Sequence, residues 1–259
     1  MKLLLSLTLL MASLNLFAQH DDEYERDDDS PRRIFARYLD LDCTLYSSKT
    51  KLSKYDILDI ARSTKVVLCL DSVKFDKYDI QSFLDKDIEV GLLAHELKFD
   101  KYDLKILLEK KAKVLIFGEK TRFDYYDIKD LKKAGAVIRV DAHQTKFGYF
   151  DLKTLLSEGI QVRIIAHLTS FSYYDLKSLL EAGADVYILG HGKKYSYFDL
   201  KEYAKLGARV VVVEHKSQFS YYDLKELLKV GVKVYIYEQL TKLSSYDVRE
   251  LAKLGARLR

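Results

Sequence analysis

Residues 171–217 read FSYYDLKSLLEAGADVYILGHGKK and then YSYFDLKEYAKLGARVVVVEHKS, two successive copies of one unit. The aromatic-Asp pair near the start of this unit recurs at Asp56, Asp79, Asp103, Asp127, Asp151, Asp175, Asp199, Asp223 and Asp247, first after 23 residues and then seven times after 24. A fixed period of that length marks a stacked repeat protein, in which no copy can bury its apolar side alone.

Each copy carries the chemistry of a helix start. Three residues before the aspartate stands Ser53, Asp76, Asp100, Asp124, Ser172, Ser196, Ser220 or Ser244, with Gly148 as the exception. Ser or Asp there accepts a bond from an otherwise unpaired backbone N–H, and an acid three residues on reaches back to the cap. The repeated aspartate is therefore expected to be a capping residue, favoured also by the helix dipole. An aromatic residue or Leu precedes the cap, and an aliphatic residue follows the aspartate, as in a hydrophobic staple. Leu176, Leu179 and Leu180 continue at helical spacing. Gly135, Gly159, Gly183, Gly207, Gly231 and Gly255 then supply the left-handed turn that ends a helix; the first three copies have Thr64, Asp87 and Lys111 instead. A short run rich in Val and Ile follows, such as Val186-Tyr187-Ile188, whose first and third residues should point inward. Strand then helix, repeated in one sense, requires parallel neighbouring strands. The expected fold is an α/β single right-handed solenoid of about nine repeats, with a parallel sheet on one side and helices on the other.

Around that array the chain divides into residues 1–18, 19–36 and 37–259. Residues 1–18 read as a secretory signal: Lys2, an apolar run, then Ala18 before a polar stretch. That run is short for a membrane span, so no span is expected after cleavage. Residues 19–36 read as a charged, disordered linker containing DDEYERDDDS. The remaining 37–259 form the repeat domain, and the protein is expected to be secreted or periplasmic. Cys43 and Cys69 fall in the first two strand segments, where a buried thiol and a disulfide are both admissible in an exported chain.

The 43 basic and 39 acidic residues are interleaved, a poor footprint for nucleic acid. Partners are expected instead among proteins or cell-envelope macromolecules. Because Arg257-Leu258-Arg259 starts a strand with no capping segment after it, an end-to-end homodimer is also open.

The strand segment resembles a leucine-rich repeat, whose signature is L-x-L-x-x-N. Here it reads Val186-x-Ile188-x-x-His191 and Val210-x-Val212-x-x-His215. Val and Ile replace Leu, and His stands in place of the ladder Asn. The resemblance implies a curved solenoid whose strand face binds macromolecules.

Three side-chain series are candidate sites. His95, His143, His167, His191 and His215 share one repeat position, with Glu119 and Gln239 there in two other copies. Level stacking at about 4.8 Å would line up His143, His167, His191 and His215, either as a hydrogen-bonded ladder or as a metal or pH site. The ladder is the simpler reading, since a straight row does not guarantee the convergence a metal needs. A second series runs from Tyr55 to Tyr246 just before each aspartate, well away from the Leu face, and offers either seam packing or a glycan surface. The third is the outward side of the strands: Arg139 and Arg163, with Asp141, make a polar centre, and Tyr187, Leu189, Val211, Val213, Tyr235 and Tyr237 an apolar end. That side is read as the binding face, against the alternative of a sheet covered on both faces.

The repeated Asp and His fall at opposite ends of the unit, and no phosphate loop, nucleophile elbow or zinc-hydrolase motif appears. The expectation is a non-catalytic exported scaffold with no cofactor, or else a protein responsive to metal or pH through its histidines.

Overall fold

The computed structural model describes residues 30–190 and 194–259. Residues 1–29, which hold the expected signal and most of the linker, and residues 191–193, which include His191, lie outside the described residues.

The elements alternate throughout. They are α1 (Pro31–Leu39), β1 (Leu45–Tyr46), α2 (Lys54–Ile60), β2 (Val67–Leu70), α3 (Lys77–Leu84), β3 (Glu89–Leu93) and α4 (Lys101–Glu109), then β4 (Lys113–Phe117), α5 (Tyr125–Lys133), β5 (Val137–Asp141), α6 (Tyr149–Ser157), β6 (Gln161–Ile165) and α7 (Tyr173–Glu181). After them come β7 (Asp185–Leu189), α8 (Tyr197–Lys205), β8 (Arg209–Val213), α9 (Tyr221–Lys229), β9 (Lys233–Ile236), α10 (Ser245–Lys253) and β10 (Arg257–Leu258). The ten strands form one sheet in chain order, and the pairs resolved within it are parallel. An α/β fold of parallel strands alternating with helices is therefore established. Two compact units divide the chain: one runs to Leu97 and includes Lys110–Lys113, and the other comprises Lys98–Glu109 and Val114–Arg259.

The helix starts are built as the sequence implied. Asp199 N–H donates to Ser196 Oγ at 3.1 Å, and Ser196 N–H donates back to Asp199 Oδ2 at 2.9 Å. Even without a cap side chain, Gly148 N–H donates to Asp151 Oδ2 at 3.0 Å. At the helix ends Gly183 adopts φ 94°, while its N–H reaches Leu180 O at 2.9 Å. Asp87 at φ 58° and Lys111 at φ 70° make the same left-handed turn without glycine.

In the first unit, α1 lies outside the repeat pattern. Pro31 stands in its first turn, and Ile34, Phe35 and Leu39 are buried. Residues 31–36, expected as part of the linker, are thus helical, because three apolar residues at helical spacing find a surface to cover. That surface is β3: a Cβ at Gly91 would lie 3.0 Å from Phe35 Cδ1, so glycine is what lets α1 approach. Cys43 and Cys69 are joined in a disulfide, which resolves the open choice between thiol and cystine.

The strand register is the feature that the period alone did not reveal. In the second unit Val140 pairs with Val162, Ile164 with Val186, Ile188 with Val210 and Val212 with Val234, an offset of 22 residues each time. The repeat is 24 residues long, so each strand is displaced by two residues from level stacking. In the first unit β2 and β3 share the 22-residue offset (Leu68 with Val90), whereas Leu45 and Leu68 stand level at 23. Two residues along a strand are about 6.6 Å, and with about 4.8 Å across, equivalent positions stand about 8 Å apart. That matches the 8–10 Å that packed helices require, roughly twice the spacing of strands. The stagger fits a full helix into every copy, and it is the shear of barrel-type sheets. The leucine-rich-repeat likeness, which implies level ladders, is corrected on this point.

Over β7, β8 and β9 both faces of the sheet are buried. Toward the helices lie Val162, Ile164, Val186, Ile188, Val210 and Val212, none more than 3% exposed. On the opposite face Leu189, Val211, Val213 and Tyr235 form a second buried cluster, with Tyr187 and Tyr237 packed against it.

Candidate functional site

The expected binding face is thus in large part a core. Leu189, Val211, Val213 and Tyr235 pack on one another there, and Tyr235 and Val213 are each only 2% exposed. The expectation of an open apolar patch at Tyr187, Leu189, Val211, Val213, Tyr235 and Tyr237 is corrected: over β7–β9 this face is buried as well, with only Tyr187 and Tyr237 partly exposed.

The polar centre of the same face survives as a site. Asp141, at the carboxyl end of β5, is 7% exposed and stands level with Arg163 of β6. Arg163 Nε donates to Asp141 Oδ1 at 2.7 Å, and its Nη2 bonds Oδ2, a forked pairing that a guanidinium favours. Arg139 stands one alternation earlier, level with Phe117 and Gln161.

The stagger delivers the next group. After β4, β5, β6 and β8, the short 3-10 turn lies against the following strand. Glu119, in the turn Gly118–Lys120, consequently meets the end of β5, where Asp141 N–H donates to Glu119 Oε2 at 3.1 Å. Burial pushes the Glu119 carboxyl above the usual range; bonds from its own N–H and from Asp141 N–H oppose that, and the Asp141 charge reinforces it. His143, in the turn Ala142–Gln144, lies close enough to feel both Asp141 and Arg163. Burial lowers its basicity, Asp141 raises it, and Arg163 lowers it. Among the described residues His143 Nδ1, which is buried, meets no hydrogen-bond partner, and Nε2 is 3.1 Å from Gln144 Nε2. A carboxyl made less acidic and an imidazole made less basic thus flank one ion pair at the carboxyl ends of parallel strands, where α/β sheets place their ligands.

The histidines do not form a level row. Each turn lies beside the next strand rather than beside the next turn, so His143 and His167 are about 8 Å apart by the strand spacing. Among the described residues no group of three or more His, Cys, Asp or Glu is arranged to hold a metal ion. His215 packs edge-on to Tyr237 with ring centroids 5.2 Å apart.

The aromatic series on the helices is exposed, from 65% at Tyr78 to 80% at Phe150. Tyr125, Tyr149, Tyr173 and Tyr221 pack edge-on against their neighbours in it, as with Tyr173 and Tyr174 at 5.3 Å, while Tyr197 is tilted on Phe198. Arg139, Asp141 and Arg163 are legible together in the sequence, where Glu119 stands only as an odd member of the histidine series. Its signal was that substitution at a repeat position, and only the register brings it to Asp141.

The class so defined is an α/β repeat protein with a staggered parallel sheet and a buried ionic centre at the strand ends. No protein-family model and no curated protein matches the chain. Among solved structures it is similar to 3-hexulose-6-phosphate synthase from Salmonella typhimurium at 18% identity, covering 74% of this chain and 96% of that one, TM-score 0.27. Orotidine 5'-phosphate decarboxylase from Lactobacillus acidophilus matches at 16% identity over 74% and 99%, TM-score 0.28. The structure titled native KDPGal matches at 12% identity over 74% and 93%, TM-score 0.27. The expectations of a non-catalytic, leucine-rich-repeat-like scaffold and of no enzymatic role are corrected on this chain's own geometry: the strands are staggered, the apolar end of the strand face is buried, and the strand ends bring Glu119, Asp141, Arg163 and His143 together.

Proposed function

We propose that the carboxyl ends of β4, β5 and β6 form an acid–base site for a small polar molecule, with Glu119 and His143 as the groups that exchange a proton with it. The observation that carries this reading is Glu119, a carboxyl raised by burial yet held in place by a backbone N–H beside the buried Asp141–Arg163 pair. A general acid or base works best when its pKa lies near the working pH, and burial moves Glu119 and His143 toward one another. Asp141 and Arg163 orient the site, and Arg139 adds a positive charge on the same face. The disulfide suits an oxidising compartment.

Carboxyl and imidazole titration by NMR tests the reading. Glu119 is expected to titrate above an ordinary glutamate, and replacing it with glutamine is expected to shift the His143 titration. A panel of small carboxylates and phosphate esters is expected to contain a compound that moves both groups. An ordinary Glu119 titration, or a panel in which no compound perturbs either group, overturns the proposal.

A further inference from the structure

A second chemical cluster lies on the helices. Tyr149 and Lys153 stand four residues apart on α6, and Ser178 stands on α7 of the next copy. Tyr149 Oη donates to Ser178 Oγ at 2.9 Å, Lys153 Nζ donates to Ser178 Oγ at 2.9 Å, and Lys153 Nζ reaches Tyr149 Oη at 3.2 Å. Phenol, hydroxyl and ammonium therefore form a closed triangle.

The repeat supplies its own comparison. Two copies further on, the same positions hold Tyr197, Lys201 and Glu226, and Lys201 Nζ binds Glu226 Oε2 at 2.9 Å. At the preceding seams Lys105 pairs with Asp130 at 3.4 Å, and Lys129 turns to Glu158 at 2.6 Å. A carboxylate thus takes the lysine charge at those seams, whereas at Ser178 a neutral hydroxyl stands in the acid's place. If Tyr149 loses its proton, the phenolate oxygen has two donors already in position, Ser178 O–H and the Lys153 ammonium. The Ser178 bond first, and Lys153 after it, hold the phenol below its ordinary range.

We propose that Tyr149, Lys153 and Ser178 form a nucleophilic site in which Tyr149 Oη accepts an acyl group from an activated ester. The phenol proton leaves to solvent, Oη bonds to the carbonyl carbon, and the bond to the ester's leaving oxygen breaks with its electron pair. Lys153 and Ser178 hold the oxygen and do not change covalently. Water can then cleave the aryl ester, returning Tyr149 and a carboxylic acid. This site is separate from the strand-end centre and does not depend on it.

The test uses p-nitrophenyl acetate as the probe, with peptide mapping by mass spectrometry. Tyr174 is 79% exposed and serves as an internal comparator. Acetylation of Tyr149 is expected to exceed that of Tyr174 about tenfold, a barrier difference of about 1.4 kcal/mol. Ser178→Glu, which copies the well-packed seam at Glu226, is expected to abolish the preference, and Ser178→Ala to reduce it. Labelling of Tyr149 no faster than of Tyr174, or a preference unchanged in Ser178→Glu, overturns the proposal.

Discussion

At the scale of the residue, backbone handedness and burial make separate demands. Lys111 holds φ 70° where later copies place glycine, and a side chain in that conformation costs about 1–2 kcal/mol. Lys111→Gly is expected to stabilise the protein by about 1 kcal/mol, less the added freedom of the unfolded chain, and Gly183→Ala to destabilise it by a similar amount. Urea denaturation of the two variants checks both signs. Glu119 presents a different balance. Its pKa is raised by folding, so its contribution is fully present below the unfolded value and is lost as pH rises through the folded one. Glu119→Gln is therefore expected to raise the melting temperature at pH 8 relative to wild type and to leave it nearly unchanged at pH 4. A difference of the same size at both pH values would show that the carboxyl is not buried as described.

At the scale of the element, each helix depends on its first turn and on its neighbour. Ser196 closes a reciprocal cap with Asp199, and its replacement by alanine is expected to cost about 1 kcal/mol, read by thermal unfolding. Between helices, Lys201 and Lys229 both bind Glu226 and draw its pKa down to about 2. A depressed carboxylate contributes above its unfolded pKa and loses that contribution as pH falls through the folded value. Glu226→Gln is expected to flatten the acid side of the stability profile between about pH 4 and pH 2, more visibly in low salt than in high. The pair is solvent-exposed, so the effect at neutral pH should be small.

At the scale of the molecule, one covalent link and a recurring two-residue stagger from β2 onward hold separate copies in place. The Cys43–Cys69 bond spans 26 residues, and closing a loop of that size stabilises by about 3.5 kcal/mol in the chain-entropy account. Reduction, or Cys43→Ser with Cys69→Ala, is expected to lower the melting temperature and to loosen β1 and β2 before the later strands. Hydrogen exchange resolved by residue tests that order; equal loss of protection in β8 would contradict it. Because repeat stability is largely a sum of nearest-neighbour terms, the loss should stay local.

Much of this was legible in the residues. Caps at Ser196 and Ser220, stops at Gly183 and Gly207, and the alternation of helix with strand are local signals, repeated so often that chance is excluded. Periodicity also told which strand residues face the helices, because a strand alternates sides whatever its neighbours do. Three results needed the folded chain: the two-residue displacement of neighbouring strands, the burial of Tyr235 and Val213 on the far face, and the meeting of Glu119 with Asp141. A period states how far apart equivalent residues are along the chain, whereas register is set by helices that need about twice the width of a strand, a constraint felt only once copies lie side by side.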